Sequence, residues 1–198
     1  MKFDTSIVQT RVSSPLGPLI IAATAQGLAG LWFTEDQRYL PKELAPTLVA
    51  SRTALPPEGA VLAGRGPARR TLLWPCDPNH SVLQQASQQL AEYFAGQRHH
   101  FDVPLDLRCG TAFQQSVWQA LRAIPQGGTV SYGEVSRRIG NPAAVRAVGG
   151  AIGRNPVSII VPCHRVMGSN GTLTGYAGGL ARKTALLRLE SAVAGSLL

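Results

Sequence analysis

Ser158-Ile159-Ile160-Val161-Pro162-Cys163-His164-Arg165-Val166 sets an apolar run directly against a proline, a thiol, an imidazole and a guanidinium. The apolar half needs a buried segment, so the polar half must lie at the edge of a core rather than in open solvent. A thiol between a fixed-φ proline and two potential cations has surroundings that favour thiolate, which is nucleophile chemistry. The competing reading is a structural cysteine packed at a strand end, because a free thiol behaves as a small hydrophobe. In extended chain Cys163 and His164 point to opposite sides, so their adjacency alone does not bring them into contact.

Working outward on the N-terminal side, Asn141-Pro142 reads as the N-cap and first-turn proline of a helix over residues 143–153. Ala143, Ala144, Ala147, Gly149, Gly150 and Ala151 leave that helix a low surface from which Arg146 and Arg154 project. The Gly149-Gly150 pair disfavours helix by about 1 kcal/mol per residue relative to Ala, so something must offset it. Close packing of helices is one offset; close approach of a nucleic-acid backbone, with Arg146 entering a groove or the base stack, is the other. Before this helix, Ser131-Tyr132-Gly133-Glu134 has the form of a capping box and opens a short helix that stops at Gly140, completing a helix-turn-helix. Thr111-Ala112-Phe113-Gln114 is a second box, followed by a helix burying Phe113, Val117, Trp118, Leu121 and Ile124 up to Pro125.

The first forty residues read as an antiparallel meander, with apolar runs around Ile7–Val12, Leu19–Ile21 and Leu28–Phe33 separated by Ser14-Pro15-Leu16-Gly17-Pro18 and Gln26-Gly27. Residues 41–80 hold seven of the chain's fourteen prolines, which marks them as a long surface loop. Ser81 is positioned to cap a helix carrying Val82, Leu83, Ala86, Leu90, Tyr93 and Phe94 and stopping at Gly96.

Composition narrows the function. The chain of 198 residues carries a net charge of +8, and residues 109–198 hold nine cations against only Glu134 and Glu190. Such asymmetry suits a polyanionic partner, nucleic acid ahead of an anionic membrane. Sixteen of the nineteen cations are arginine, the better bidentate phosphate ligand. No apolar run is long enough to span a bilayer, and Met1-Lys2-Phe3-Asp4 lacks the layout of a secretory signal, so a cytoplasmic protein without membrane association is expected. Cys76, Cys109 and Cys163 form no CxxC pair and no metal-type spacing with the four histidines, which argues against a disulfide framework or a metal centre.

Taken together, Gly149-Gly150-Ala151, Asn155-Pro156, Ile160-Val161-Pro162-Cys163-His164-Arg165-Val166 and Gly175-Tyr176-Ala177-Gly178-Gly179-Leu180 resemble the methylated-DNA:protein-cysteine methyltransferases, the O-6-alkylguanine-DNA alkyltransferases. The likeness runs from about Gly110 to Glu190. It implies an α+β protein: a ribonuclease-H-like α/β domain over residues 1–108 and a winged-helix-like, mainly α, helix-turn-helix domain over residues 109–198. It further implies repair by direct reversal, an irreversible, single-turnover transfer of an alkyl group from O-6 of guanine, and from O-4 of thymine, in DNA to Cys163. In the family, a water carries the thiol proton to the histidine matching His164, which the glutamate matching Glu190 orients. Tyr132 matches the tyrosine that donates toward the departing purine, and Asn155 the asparagine tying the helix-turn-helix to the active-site strand. Arg146 matches the arginine that fills the stack once the lesion base has flipped out. The DNA surface implied comprises Tyr132, Ala143, Arg146, Ala147, Gly149 and Arg154, on the minor groove of double-stranded DNA. The alkyl pocket comprises Pro162, Val166, Tyr176, Ala177 and Gly178. Ala177 stands where many members have serine, which removes a side-chain donor there. No cofactor and no metal are implied, and a monomer is expected, cytoplasmic and with access to the nucleoid in a bacterium.

Two other classes fit parts of the sequence. A Cys/His hydrolase would turn over and need an oxyanion hole, and a winged-helix regulator would use the basic helices without the thiol.

Overall fold

Alternating apolar side chains in the first part of the chain build an antiparallel sheet of β1 (Val8–Val12), β2 (Leu19–Thr24) and β3 (Gly27–Phe33), in that spatial order. The computed structural model describes residues 1–4, 6–44 and 74–191. Along β2, Leu19, Ile21 and Ala23 face the main core while Ile20 and Ala22 face a smaller cluster with Ile7, Trp32 and Trp74, as a period of two requires. Ala22 pairs with Gly30 but Ala23 pairs with Leu28, so Ala29 is an inserted bulge residue. The bulge explains how Leu28 and Leu31, three apart, reach the same core. Gly30 is required because the ring of Trp32 folds over it and occupies the space of a Cβ.

Both edges of the sheet receive chain from outside the meander. Gln9 N donates to Pro75 O (2.9 Å) and Gln9 O accepts from Asp77 N (3.0 Å). On β3, Leu28 N donates to Pro104 O (2.7 Å) and Leu28 O accepts from Asp106 N (2.9 Å). Farther along β3, Leu31 N donates to Pro156 O (2.8 Å) and Leu31 O accepts from Ser158 N (3.0 Å). One strand thus seats both the interdomain linker and the segment that leads to Cys163. Of the loop expected over 41–80, residues 45–73 lie outside the described residues; Leu44 and Trp74 at its ends are buried.

Helix α1 (Ser81–Phe94) packs Leu83, Ala86, Leu90 and Tyr93 on the sheet. Ser81 is its first residue and not its cap. The N-cap is His80, with no side-chain cap bond, because the turn at Asp77, whose Oδ1 accepts from Asn79 N (3.0 Å), starts the helix one residue sooner. Gly96, at φ +73°, ends it as expected.

The second half begins with α2 (Ala112–Arg122), opened by a complete Thr111–Gln114 capping box. Its Trp118 Nε1 donates to Ala151 O (2.9 Å), fixing the later helix against it. Then come β4 (Val130–Ser131), α3 (Tyr132–Arg138), a 3₁₀ turn (Pro142–Ala144), α4 (Val145–Gly153), a 3₁₀ turn (Cys163–Arg165), β5 (Val166–Met167) and α5 (Leu180–Leu189), with β4 and β5 paired in parallel. Ser131 caps α3 by accepting from Glu134 N (3.1 Å), but the box is only half made, since Glu134 turns outward to Arg137 and Arg138. The helix expected over 143–153 starts with the 3₁₀ turn, and Asn141 makes no side-chain cap bond, its backbone carbonyl accepting instead from Ser136 Oγ and Ala144 N. One continuous core runs from the sheet through α1, α2 and α4 to Leu186 of α5.

Candidate active site

Ser158–Val161 is a compact turn, and neither the active-site strand that the resemblance implies nor the strand end of the competing reading. Ile160 N donates to Ser158 O (2.8 Å), Val161 N donates to Val157 O (3.0 Å), and buried Ile159 sits at φ +69°. A left-handed β-branched residue costs roughly 1–3 kcal/mol, and the pairing of Pro156 and Ser158 with β3 holds it in place. The turn delivers Cys163 to the start of a 3₁₀ helix, so Cys163 and His164 are not on opposite sides of an extended chain.

Asn155, just past the end of α4, organises this turn. Its Oδ1 accepts from Val157 N (3.0 Å), and its Nδ2 donates both to Val161 O (2.7 Å) and to Cys163 Sγ (3.0 Å). Helix α4 and the thiol are therefore joined through one amide.

His164 is fully buried, and its Nε2 lies 2.9 Å from Glu190 Oε1. Glu190, the residue closing α5, also accepts at Oε1 from Tyr93 Oη (2.7 Å) and Arg165 Nη2 (2.9 Å), and at Oε2 from Arg165 Nε (2.8 Å). Burial pushes the Glu190 carboxyl up, but the hydrogen bonds from His164 and Arg165 outweigh it and hold it at about 2. An ionised Glu190 calls for a proton on Nε2, which leaves Nδ1 of His164 as the acceptor. That nitrogen is buried and without a hydrogen-bond partner among the described residues. Burial lowers the His164 pKa more than Glu190 raises it, so the ring rests neutral.

The thiol is not the resting thiolate that its sequence neighbours suggest. Burial raises the Cys163 pKa, and the Asn155 hydrogen bond and the charge of Lys183 offset this only in part. Arg165 is turned away, committed to Glu190 and to Ile124 O. Lys183 is itself fully buried, its Nζ donating to Val166 O (2.5 Å) and Thr174 O (2.7 Å), and burial lowers it to about 8. Sequence reasoning read Tyr93 only as an apolar helix residue and Arg165 only as a cation beside the thiol, and it did not single out Lys183. The one available signal was the shortage of carboxylates in this half, which left Glu134 and Glu190 as the candidates and said nothing of their donors.

Pro162, Val166, Tyr176 and Gly178 are buried around the thiol segment and Ala177 is half-buried. Tyr176 Oη is buried, and burial raises its pKa well above the usual phenol value, with the Ser158 hydroxyl offsetting this only in part. At Gly178 a Cβ would fall 2.8 Å from Tyr176 Cε1 and 3.0 Å from Phe33 Cδ2, so no larger residue fits. Ala177 O accepts from Arg38 N (2.9 Å), a contact from the N-terminal half.

Tyr132, Ala143, Arg146 and Ala147 share the outer side of the helix-turn-helix: Tyr132 is half-buried and the other three are exposed. Tyr132 Oη donates to Gly175 O (3.4 Å), which links this side to the pocket loop. A Cβ on Gly149 would meet only the Tyr132 ring at 3.8 Å, ordinary contact, so packing inside the protein does not require glycine there. Arg154 stands apart from the group. Its Nη1 donates to Gly150 O (3.1 Å) and its guanidinium lies 5.1 Å from the Tyr39 ring centroid.

The chain resembles known proteins along most of its length. Residues 112–192 match the model of the 6-O-methylguanine DNA methyltransferase DNA-binding domain, and residues 7–107 that of the same family's ribonuclease-like domain. The methylated-DNA–protein-cysteine methyltransferase of Mycobacterium tuberculosis is 46% identical over 90% of this chain and 89% of its own length. The Methanosarcina acetivorans protein of the same name is 42% identical over 89% and 94%. Among solved structures, the M. tuberculosis O6-methylguanine methyltransferase superposes with a TM-score of 0.71 at 42% identity, covering 96% of both chains. The M. tuberculosis OGT in complex with DNA gives 0.70 at 44% identity over 91% of both.

Proposed function

Since the chain belongs to the 6-O-methylguanine DNA methyltransferase family, we propose that Cys163 is its alkyl acceptor and that each molecule acts once. The observation that carries this reading is a buried thiol fixed by Asn155 at 3.0 Å, next in sequence to a neutral histidine that Glu190 holds by Nε2. Sulfur attacks the alkyl carbon, the S–C bond forms, and the bond from carbon to O-6 of guanine breaks. The thiol proton leaves through a water to Nδ1 of His164, whose imidazolium is stabilised by Glu190. Tyr132 donates its hydroxyl proton to the departing guanine, and its phenolate is reprotonated through solvent as His164 gives up the proton it took from the thiol, so that all groups but the alkylated Cys163 and the dealkylated guanine return to their starting state. A thioether has no leaving group for water to displace readily, which accounts for a single turnover and distinguishes the protein from a Cys/His hydrolase.

The lesion base must leave the duplex to reach a buried sulfur, at a cost of a few kcal/mol in unstacking. We assign Arg146 to the vacated space and Tyr132, Ala143, Ala147, Gly149 and Arg154 to the minor-groove backbone of double-stranded DNA. Gly149, not required by internal packing, allows the phosphates to approach α4. Arg154 joins them by leaving the Tyr39 ring. Pro162, Val166, Tyr176, Ala177 and Gly178 form the alkyl pocket, which accepts O-4-alkylthymine as well as the guanine lesion. We put the domain boundary at residues 108/109, a reading supported by its position between the pairing of Asp106 with Leu28 and the Thr111 cap. The active form is a cytoplasmic monomer with access to the nucleoid in a bacterial cell; no helix among the described residues is long and apolar enough to cross a membrane.

The test is intact mass before and after incubation with DNA carrying O-6-methylguanine, with peptide mapping. One CH₂ unit gained per chain on Cys163, with no further turnover, is expected. An unmodified Cys163 would refute the assignment.

A further inference from the structure

Arg182, in the first turn of α5, forks across three segments. Its Nε donates to Leu16 O (2.9 Å) in the β1–β2 turn, and its Nη1 donates to Glu35 O (2.8 Å) beyond β3 and to Gly178 O (3.1 Å) in the pocket loop. Its guanidinium carbon lies 4.5 Å from the Phe33 ring centroid. Among the described residues it forms no ion pair; every acceptor is a main-chain carbonyl. The three acceptors are served from two nitrogens, Nε and Nη1, of one rigid plane, a spread that a single ammonium nitrogen does not have. Its neighbour Lys183 holds the other end of the same loop from inside, through Thr174 O. Two consecutive residues therefore pin both ends of the 175–178 wall. Lys183 ties it to β5, and Arg182 ties it to the N-terminal sheet. Arg38 N on Ala177 O and the ring of Phe33 beneath Gly178 complete the seal from that side.

We infer that Arg182 is a positioning residue that sets which alkyl groups are accepted, by clamping the pocket wall to the N-terminal domain. The inference rests on the reading above, in which this loop bounds the alkyl pocket beside Cys163. With the clamp gone, the Gly178 end is held only by the Arg38–Ala177 hydrogen bond and its packing on Phe33, and it moves more than the Thr174 end, which stays pinned. The pocket then widens for bulky groups and loses its hold on a methyl group, whose transfer depends on close confinement.

The experiment compares wild type with Arg182→Met and Arg182→Lys. Rate constants are measured for DNA carrying O-6-methylguanine and O-6-benzylguanine, each normalised to the fraction of chains alkylated at completion. That endpoint counts folded, competent protein, so mere destabilisation moves neither rate constant. In Arg182→Met the benzyl-to-methyl ratio rises about tenfold, with faster amide hydrogen exchange at residues 177 and 178. Arg182→Lys, which keeps the charge and loses the fork, falls between the two; it decides the matter if the Met variant does not fold. A ratio within about twofold of wild type in the variant that folds overturns the inference. Failure of wild type itself to take up an alkyl group would instead sink the function proposed above.

Discussion

Replacing Glu190 by Gln keeps the volume of the side chain and removes the charge on which Tyr93, His164 and Arg165 converge. In the folded protein the carboxyl sits at about 2 against an ordinary 4.5. At about 1.4 kcal/mol per unit, the difference corresponds to roughly 3 kcal/mol of stability at neutral pH. Arg165, whose side chain is only 9% exposed, is left facing an amide that donates as well as accepts. Breaking a buried pair on one side costs about 3–5 kcal/mol, so the variant should lose stability in that range at pH 7. The sign follows from the depressed pKa: the contribution is complete above pH 4.5 and disappears as pH falls toward 2. Urea unfolding of both proteins from pH 7 to pH 3.5 should therefore show the gap narrowing by about 1.4 kcal/mol at the acid end. Alkyl transfer per competent molecule should slow by about 10²-fold, because His164 loses the acceptor that fixes its tautomer. A gap below about 1 kcal/mol at pH 7, or one that stays constant on acidification, would refute the assignment of an ionised, stabilising Glu190.

Transfer from free O-6-benzylguanine should keep its full rate as pH falls from about 7 to 6.5, because the acceptor is neutral His164 and burial makes it titrate below its usual 6.5; a rate already halved at or above pH 6.5 would refute a buried, neutral resting ring. Arg146→Ala should slow repair in duplex DNA by about 10²-fold while changing the reaction with the free base less than about twofold, and equal losses in both assays would exclude the stack-filling role. Gly178→Ala forces a methyl group to 2.8 Å from Tyr176 Cε1 and should cost about 1–3 kcal/mol, read as a melting temperature lowered by roughly 2–10 °C. An unchanged melting temperature would mean that the wall is loose.

Local signals carried most of the architecture. The meander followed from turn residues between apolar runs, and α2 from its Thr111–Gln114 box, because both are set by neighbours a few residues apart. Asn155 and Glu190 were reached through family likeness, and the geometry brings both to the Cys163–His164 pair. What sequence could not show is where charged side chains go when distant segments meet. Tyr93 and Glu190 are 97 positions apart, and Lys183 is buried only because β5 and the pocket loop close over it. The expectation of a thiolate failed for the same reason. Arg165 is two residues from Cys163 in the chain, but its charge is directed at Glu190, and burial then dominates the thiol.

The segment that delivers the nucleophile also covers the outer edge of β3, where Pro156 and Ser158 occupy the backbone groups of Leu31. An edge strand reading Gly27-Leu28-Ala29-Gly30-Leu31-Trp32-Phe33 is a template for self-association whenever it is bare, since it has neither charge nor proline to discourage a second strand. Substitutions that lift the 156–158 segment will therefore show up first as poor solubility, before any deficit in alkyl transfer can be measured. Losses of soluble yield along this stretch report on the integrity of the strand's covering as directly as an assay reports on chemistry.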